Sequence, residues 1–459
     1  MNKYILIFSL LFFQNLLFSQ FLSPNDGGEY IIPKNDYCLS NEDRTVVKEQ
    51  IYQNRNLLIG KGLLQNQRSA NNIVLFDWPL KATANLPYNS YYGISNYVDH
   101  DPDFSGGQNS ATNLDYNCGN RSYDTNGGYN HPGTDFFTWP FPFYMYENNL
   151  VEVIAAEAGT IVLRHDGEDD DHCSCFGTWN AVYVEHADGS VAWYGHMKKN
   201  SLTAKVAGQS VAKGEYLGVL ASSGCSSGPH LHFEVYDGDN NLIDPFAGPC
   251  NDLNSDSWWS SQLPYRDMTI NALITHDAAP SLGCPGSDEV PNFSNVFEPG
   301  ESVYTAAYYH DQLVGEITTY TIRRPDNVIW QTWTHSSNAT YDASYWLWIW
   351  NLPPAGPYGD WTYEAVYGGE TVSHTFQYRP YCQLPAPNTW VGPSVGDWND
   401  GDGNWSKNKI PLLCDDVVIP PGYIITVQNN QTGNCNSLEL KSGARVNVLP
   451  NANLNVVNP

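Results

Sequence analysis

The chain has 459 residues and a formal net charge of −27, with 22 Lys and Arg residues against 49 Asp and Glu residues. Such an acidic surface repels nucleic acid and anionic lipid, which excludes both as partners, and it argues against simple electrostatic capture of an anionic cell wall. The length predicts several domains. The 38 glycines, the 14% aromatic content and the regular apolar–polar alternation predict mainly β structure.

The N-terminus has the pattern of an export signal. Lys3 precedes the apolar run 4–13, and small or polar residues follow near Ser19 and Gln20. A basic start with a short apolar core is typical of a secretory signal peptide, and this run is too short to span a membrane. No later run is apolar enough to cross a bilayer. We therefore predict a signal peptide over 1–20 and a secreted, extracellular protein without a membrane span.

The cysteine count supports the same compartment. All ten cysteines follow the predicted signal peptide, and an even number in an exported chain predicts disulfides. The closely spaced Cys173 and Cys175 are interpreted as disulfide-forming residues rather than as part of a metal cluster. The predicted wide pairs are Cys284 with Cys382 and Cys414 with Cys435.

Residues 21–72 precede the first predicted β domain. Their one helical stretch runs roughly over 41–65. The sequence leaves open whether 21–72 is a propeptide, which would block the site until it is removed, or an N-terminal embellishment.

Residues 73–265 are predicted to form one β domain. Asp188-Gly189 is a strong two-residue hairpin signal between two alternating segments. The predicted strands cover 151–154, 159–163, 181–186, 190–194, 216–220 and the segment that carries the His230-Leu231-His232 pair.

The C-terminal half predicts two further β units. Alternating segments at 304–308, 318–322, 329–333 and 361–366 have the spacing of a sandwich, so we predict an immunoglobulin-like β-sandwich over 270–382. A Pro-rich linker over 384–387 follows. Residues 388–459 are predicted to be a short, partial β-solenoid-like region, because apolar strands at 417–419, 437–440 and 444–448 have the appearance of its first rungs.

Five residues outline a candidate catalytic site. His230 and His232 alternate on one strand, so both side chains point to the same face. His131 and Asp135 lie about a hundred residues upstream, and Pro132-Gly133 between them disfavours a helix and predicts that they converge through a turn. His196 is predicted to lie just past the end of a strand. Two imidazoles and one carboxylate as ligands, with two further histidines, are typical of a catalytic zinc hydrolase.

The order of these motifs resembles peptidase family M23, the lysostaphin-type zinc endopeptidases. The family pattern is H-x-G-x-D, Y-x-H and G-P-H-L-H-F-E, and this chain has all three, at 131–135, 194–196 and 228–234. Ile243-Asp244-Pro245 also matches. The resemblance covers roughly 75–250 and implies an antiparallel β-sheet peptidase core.

The resemblance also implies the role of each residue. His131, Asp135 and His232 would bind one catalytic Zn²⁺, leaving one position for the water that attacks a peptide carbonyl. His196 and His230 would be the catalytic pair, moving protons and stabilising the oxyanion. The implied substrates are peptidoglycan peptides, either cross-links or glycine-rich bridges, or Gly-rich proteins, with the accessory domains locating the enzyme on a surface or matrix.

Several alternatives stay open at this stage. The protein would be a surface adhesin if 270–459 did the binding and the peptidase scaffold were inactive, or a carboxypeptidase that trims free peptide ends. Glu234 would either orient a zinc ligand or be purely structural. The aromatic residues Phe136, Phe137, Trp139 and Phe141 would either line a substrate groove or pack in the core.

Overall fold

A computed structural model of the protein describes residues 20–32, 37–65, 74–101, 112–125, 128–283, 289–354, 356–379, 387–401, 403–412 and 415–458. As predicted, the fold is mainly β. The helices found in these ranges are α1 (Asn41–Gly60) and α2 (Pro142–Glu147). The sequence predicts α1, which ends five residues earlier than expected, whereas it gives no prediction of α2.

The site is built on a central antiparallel sheet. Its strands, in spatial order, are Ser210–Val211, Gly159–His165, Ala181–Glu185, Val191–Gly195, His230–Tyr236, Gly133–Thr138 and Tyr92–Asn96, and Leu242–Ile243 also pairs with His230–Tyr236. A smaller sheet joins Tyr216–Val219, Val151–Ile154 and Leu80–Ala82. Two short pairs complete this region, Asp124–Thr125 with Tyr129–Asn130 and Ser174–Cys175 with Cys225–Ser226.

Both faces of the central sheet are covered. Every residue of the Val191–Gly195 and His230–Tyr236 strands is buried, as expected for strands with a packed layer on each side. On one face Phe233 joins a core with Phe76 and Trp259. Helix α1 packs on the other face, so the N-terminal region is part of the folded protein in this structure.

Helix α1 forms where its sequence predicts it. Ser40 caps the N-terminus by accepting a hydrogen bond from the backbone N–H of Asp43 at 3.0 Å, and acidic residues in the first turn suit the helix dipole. The buried residues Arg44, Ile51 and Leu58 recur every seven positions and therefore lie on one face of the helix. That face covers the central sheet.

Two further sheets pack against each other around an aromatic core. One sheet contains Thr269–His276, Ser302–Gln312, Tyr341–Asn351 and Asp26–Glu29. The other contains Gln20–Phe21, Ile329–Ser336, Ile317–Arg323, Gly359–Tyr367, Glu370–Tyr378 and Val296–Phe297. Trp346 and Trp348 of the first sheet share a core with Trp333 and Trp361 of the second. The immunoglobulin-like assignment itself stays a prediction.

The C-terminal strands pair in parallel with strands one coil later. One sheet contains Asn388–Thr389, Asp416–Ile419 and Ser437–Leu440, another contains Val395–Asp397, Ile424–Val427 and Arg445–Val448, and a third pairs Thr432–Cys435 with Asn453–Val456. The domain boundaries proposed from the sequence stay predictions.

Disulfides are present, and the predicted pairs are revised. Cys118 bonds Cys250, and Cys175 bonds Cys225. Cys173 is also disulfide-bonded, as predicted. Cys284, Cys382 and Cys414 lie outside the described residues, so the pair Cys284–Cys382 stays a prediction. The pair Cys414–Cys435 is wrong, because Cys435 has a free thiol.

Within the described ranges, neither helix has the length and apolar character needed to span a membrane.

Candidate metal centre and active site

Two neighbouring strands bring His232 and Asp135 together. His230–Tyr236 runs antiparallel to Gly133–Thr138, and the register places His232 directly opposite Asp135, so the two side chains share one face. His232 Nδ1 lies 2.9 Å from Asp135 Oδ1. Asp135 therefore lies within an extended strand, which corrects the turn predicted from Pro132-Gly133.

His131 completes a triad of converging donor atoms. It lies just before the Gly133–Thr138 strand, and its Nε2 is 3.1 Å from Asp135 Oδ2 and 3.2 Å from His232 Nδ1. All three residues are buried, with at most 2% of any of them exposed. The structure thus brings together all three ligands that the sequence predicts.

The opposite ring nitrogens fix which atoms face the site. His131 Nδ1 lies 2.8 Å from the carbonyl oxygen of Tyr97, and His232 Nε2 lies 3.0 Å from Glu234 Oε2. With its other nitrogen donating to an oxygen, each neutral imidazole turns a lone pair toward the centre of the triad. Asn96 Nδ2 donates a hydrogen bond to Asp135 Oδ2 at 3.0 Å.

These donors fit a tetrahedral zinc ion. Zinc–nitrogen and zinc–oxygen bonds of about 2.0–2.1 Å place two ligand atoms about 3.3 Å apart in a tetrahedron. The two ring nitrogens are 3.2 Å apart, His232 Nδ1 lies 2.9 Å from Asp135 Oδ1, and His131 Nε2 lies 3.1 Å from the other carboxylate oxygen, Oδ2. Two imidazoles and a carboxylate are a common ligand set for catalytic zinc. The residues present therefore fit the metal.

The electrostatics of the triad favour a cation. Burial alone would raise the pKa of Asp135, but the imidazoles of His131 and His230 hold it well below its usual range. Burial alone would lower the pKa of His131, but Asp135 and Cys38 raise it to about 9. At His131 the neighbouring acidic groups therefore favour a positive charge, which a metal cation would supply.

Glu234 connects a zinc-ligand candidate to helix α1. Its carboxylate accepts from His232 Nε2, and Arg44 Nη1 donates to both of its oxygens at 2.6 and 2.7 Å. Tyr236 donates its hydroxyl to the same group. Burial alone would raise the pKa of Glu234, but Arg44 and His232 lower it, so Glu234 is ionised. Of the two roles that the sequence leaves open, these contacts favour the orienting one.

His196 and His230 form a second pair beside the triad. Their ring centroids are 4.3 Å apart. His196 Nδ1 lies 2.6 Å from the carbonyl oxygen of Ser223, and His230 Nδ1 lies 2.9 Å from that of Gly228. His196 has φ 62°, a left-handed backbone conformation, and directly follows the Val191–Gly195 strand. Burial and the nearby His230 lower the pKa of His196.

The Nε2 atoms of this pair face the site. His230 Nε2 lies 3.7 Å from Asp135 Oδ1. His196 Nε2 is buried and has no hydrogen-bond partner in the described part of the chain. A buried polar atom is rarely left unpaired, and active sites are among the places where this occurs. The pair is therefore poised to act on a group that binds between it and the triad.

The loop before the His230–Tyr236 strand is held by a disulfide. Cys225 lies in that loop and bonds Cys175. Ser226 Oγ lies 3.3 Å from His230 Nδ1. The loop thereby supplies polar groups that orient His230.

Cys38 lies at the site although the sequence does not predict it there. Cys38 Sγ lies 3.9 Å from Asp135 Oδ1, 4.0 Å from His230 Nε2 and 3.1 Å from the hydroxyl of Tyr123. Its thiol is free, whereas the even number of cysteines predicts that it forms a disulfide. No spacing signal marks Cys38, because 97 residues separate it from Asp135.

The aromatic residues after Asp135 are mostly core. Phe136, Trp139 and Phe141 are fully buried. Phe137 lines a small cavity beside His230, together with Tyr30 and other residues. Core packing therefore accounts for three of the four residues, and a groove-lining position only for Phe137.

Comparison with known proteins identifies one segment of the chain. Residues 142–245 match the model of peptidase family M23. The match includes His196, His230 and His232, while His131 and Asp135 lie before it. The cell division protein DipM of Caulobacter vibrioides is 38% identical over 86 residues, which are 18% of this chain and 13% of DipM. The chain thus matches a small part of that relative.

Solved M23 structures are also similar to parts of the chain. A mutant catalytic domain of the prophage-encoded M23 protein EnpA from Enterococcus faecalis is 28% identical, over 26% of this chain and 78% of that one, with a TM-score of 0.19. The catalytic domain of the antimicrobial peptidase lysostaphin from Staphylococcus simulans is 23% identical. The similarity covers 36% of this chain and 96% of that one, with a TM-score of 0.20. A putative peptidase M23 from Pseudomonas aeruginosa is 19% identical. The similarity covers 45% of this chain and 61% of that one, with a TM-score of 0.22.

Proposed function

We propose that the chain is a zinc metalloendopeptidase that hydrolyses peptide bonds in peptidoglycan, at cross-links or Gly-rich bridges, because residues 142–245 match the model of peptidase family M23. The observation that supports this most strongly is the convergence of His131 Nε2, Asp135 and His232 Nδ1 within 2.9–3.2 Å of one another. His131, Asp135 and His232 are the proposed ligands of one Zn²⁺ ion.

The histidine pair is proposed to do the proton chemistry. When bound, zinc supplies a Lewis acid that polarises the peptide carbonyl and makes water a nucleophile near neutral pH. His230 is close to Asp135 and is fixed at Nδ1, so its Nε2 is positioned to take a proton from the attacking water and to return it to the leaving amine.

His196 is proposed to stabilise the oxyanion. Its Nδ1 is held by the carbonyl oxygen of Ser223, and its unpaired Nε2 points into the site. As a donor held in place before the reaction, it would contribute about 10²–10³-fold to the rate. Glu234 acts one layer further out, by holding the ring of His232 in orientation.

The compartment is part of the proposal. The basic and apolar pattern of 1–20 and the disulfides Cys118–Cys250 and Cys175–Cys225 support export to an oxidising environment. Peptidoglycan peptides are accessible in that environment. Because the net charge is acidic, we propose that the accessory regions, rather than the overall electrostatic field of the protein, attach it to the cell wall.

A digest of purified peptidoglycan tests this function. Zinc-loaded protein, both the native chain and Cys38→Ser, is incubated with peptidoglycan and with a glycine-rich peptide, and new chain ends are read by mass spectrometry. We expect the active protein to cleave cross-links or bridges. This cleavage should disappear when the same protein also carries the substitution His131→Ala. Zinc-loaded protein that leaves peptidoglycan intact but cleaves the glycine-rich peptide would reassign the substrate to Gly-rich proteins. Intact substrates throughout would contradict the peptidase function.

A further inference from the structure

We propose that Cys38 Sγ is the fourth ligand of the zinc ion in the full chain, and that residues 37–61, the N-terminal clamp, thereby hold the enzyme in a latent state. This inference rests on the proposed function, because it takes the zinc site as given. Of the two alternatives for 21–72, the inference favours a segment that blocks the site. It gives that segment a specific chemical contact.

The position of Cys38 matches that of a ligand. A zinc–sulfur bond of about 2.3 Å and a zinc–nitrogen or zinc–oxygen bond of about 2.0 Å put the sulfur about 3.5 Å from each other ligand in a tetrahedron. Cys38 Sγ is 3.9 Å from Asp135 Oδ1. One donor atom from each of Cys38, His131, Asp135 and His232 lies within 4.8 Å of the others. With Cys38 as the fourth protein ligand, the ion would have no position left for water, which is the property that separates closed zinc sites from catalytic ones.

The histidine pair provides an independent sign that Cys38 stands where the reacting group belongs. Donor atoms of Cys38, His196 and His230 also lie within 4.8 Å of one another. His196 Nε2, buried and without a hydrogen-bond partner in the described chain, is one of the groups proposed to act on substrate. The sulfur thus lies between the metal ligands and the proton-transfer groups, the space that water and a peptide carbonyl need.

The rest of the N-terminal clamp is anchored on the peptidase sheet. Arg44 is buried and bonds both oxygens of Glu234, and Arg55 bonds both oxygens of Glu185 at 2.5 and 2.8 Å. These pairs tie the first and later turns of α1 to two different strands. Asn54 Nδ2 adds a hydrogen bond to the carbonyl oxygen of Val162 at 2.9 Å.

Apolar burial holds the same segment. Leu39, Ile51 and Leu58 are at most 7% exposed and pack in one core with aromatic residues of the sheet, including Tyr183 and Trp193. Cys38 itself is only 1% exposed. Such burial holds the thiol at a high effective concentration beside the metal, as expected for an intramolecular ligand.

Tyr30 extends the cover beyond the clamp. It lines the cavity beside His230, and Asp26–Glu29 just before it pairs with the distant Tyr341–Asn351 strand. The chain N-terminal to the peptidase domain therefore approaches the site from two sides, with one part fixed to the sandwich and the other to the central sheet.

Ligation and release balance as a simple exchange. When Cys38 binds, its thiol loses a proton to solvent, and the Sγ–zinc bond takes the position that water would otherwise occupy. When the clamp is displaced, that bond breaks, Sγ takes up a proton, and the position returns to water. No oxidant or reductant takes part.

Cobalt(II) substitution of the full chain tests the ligand. We compare the native chain, Cys38→Ser and the matched control Cys435→Ser, which removes the other free, buried thiol of the described residues, in the C-terminal strand Thr432–Cys435. The native chain and Cys435→Ser should show a thiolate-to-cobalt charge-transfer band in the near ultraviolet, and Cys38→Ser should lack it. All three should keep the visible d–d bands of a four-coordinate ion.

Each outcome decides a separate claim. Visible bands without the charge-transfer band in the native chain would overturn the Cys38 ligand while leaving the metal site intact. Absence of cobalt binding in all three proteins, with folding shown by circular dichroism, would contradict the proposed zinc site and the inference together. Cys38→Ala repeats the comparison, because alanine removes any oxygen that serine offers.

Peptide cleavage tests latency. With zinc bound, Cys38→Ser should cleave a glycine-rich peptide at least about tenfold faster than the native chain or Cys435→Ser, as when an open state populated at about 10% or less becomes dominant. Equal rates in the native chain and Cys38→Ser would overturn the latent state. No cleavage by any of the proteins, with the charge-transfer band present in the native chain, would contradict the proposed activity and not the ligand.

Discussion

Replacing Glu234 with Gln should weaken zinc binding through a residue that does not touch the metal. Glu234 is fully buried and accepts from His232 Nε2 at 3.0 Å, which turns Nδ1 toward the triad. Glutamine keeps the size of the side chain but loses the charge that makes His232 a stronger ligand. Loss of such an outer contact costs about 10–100-fold in metal affinity, or about 1.4–2.7 kcal/mol.

The same change should lower the free energy of unfolding. Arg44 would remain buried against a neutral amide, and a buried charge that loses its partner costs about 3–5 kcal/mol. That is a large part of the total stability of a domain. The matched control is Glu185→Gln, which removes the other carboxylate that holds α1, through Arg55, without contacting a zinc-ligand candidate.

Two measurements separate these effects. Zinc affinity is measured by competition with a chromophoric chelator, and stability by thermal unfolding of the metal-free protein. Glu234→Gln should lose both zinc affinity and stability, whereas Glu185→Gln should lose stability alone. The reasoning would be refuted if Glu234→Gln bound zinc as tightly as the native chain, or if the two variants lost zinc affinity to the same extent.

The remaining predictions concern the ligands, the proton-transfer pair and acid stability. His131→Ala should reduce zinc content, measured by atomic emission, to near zero, and retained zinc would contradict its role. His230→Ala should keep zinc but lower kcat about 10²–10⁴-fold, and an unchanged kcat would remove it from the mechanism. Burial lowers the pKa of His276 to about 4 from the ordinary 6.5. The native state therefore favours the neutral ring, so this contribution to stability is complete above pH 6.5 and is lost as the pH falls toward 4, by about 3 kcal/mol. His276→Gln should make the melting temperature depend less steeply on pH between pH 4 and 6.5. An unchanged dependence on pH would refute this account.

The motif residues were predictable because strand geometry is local. Alternation alone places His230 and His232 on one face, and the pairing of two strands then brings Asp135 opposite His232. Four strands of the central sheet form where alternation and the Asp188-Gly189 turn predict them, namely Gly159–His165, Ala181–Glu185, Val191–Gly195 and His230–Tyr236. The turn expected around Pro132-Gly133 is wrong, because pairing with the neighbouring strand extends that segment.

What the sequence did not predict depends on contacts between distant segments. Cys38 reaches Asp135 across 97 residues, and Asp26–Glu29 pairs with a strand more than three hundred positions later. Propensity and spacing carry no information about such contacts, because they arise from packing of the whole chain. The left-handed φ of His196, which sets the direction of its side chain, is likewise imposed by its surroundings.

Anomalous diffraction at the zinc edge, from crystals of the full chain grown with zinc, tests the metal centre most directly. The account predicts one peak about 2.0–2.3 Å from His131 Nε2, Asp135, His232 Nδ1 and Cys38 Sγ. A peak bound by the first three and by solvent would keep the enzyme site and remove the latent ligand. The absence of a peak among His131, Asp135 and His232 in a zinc-saturated crystal would contradict the central claim.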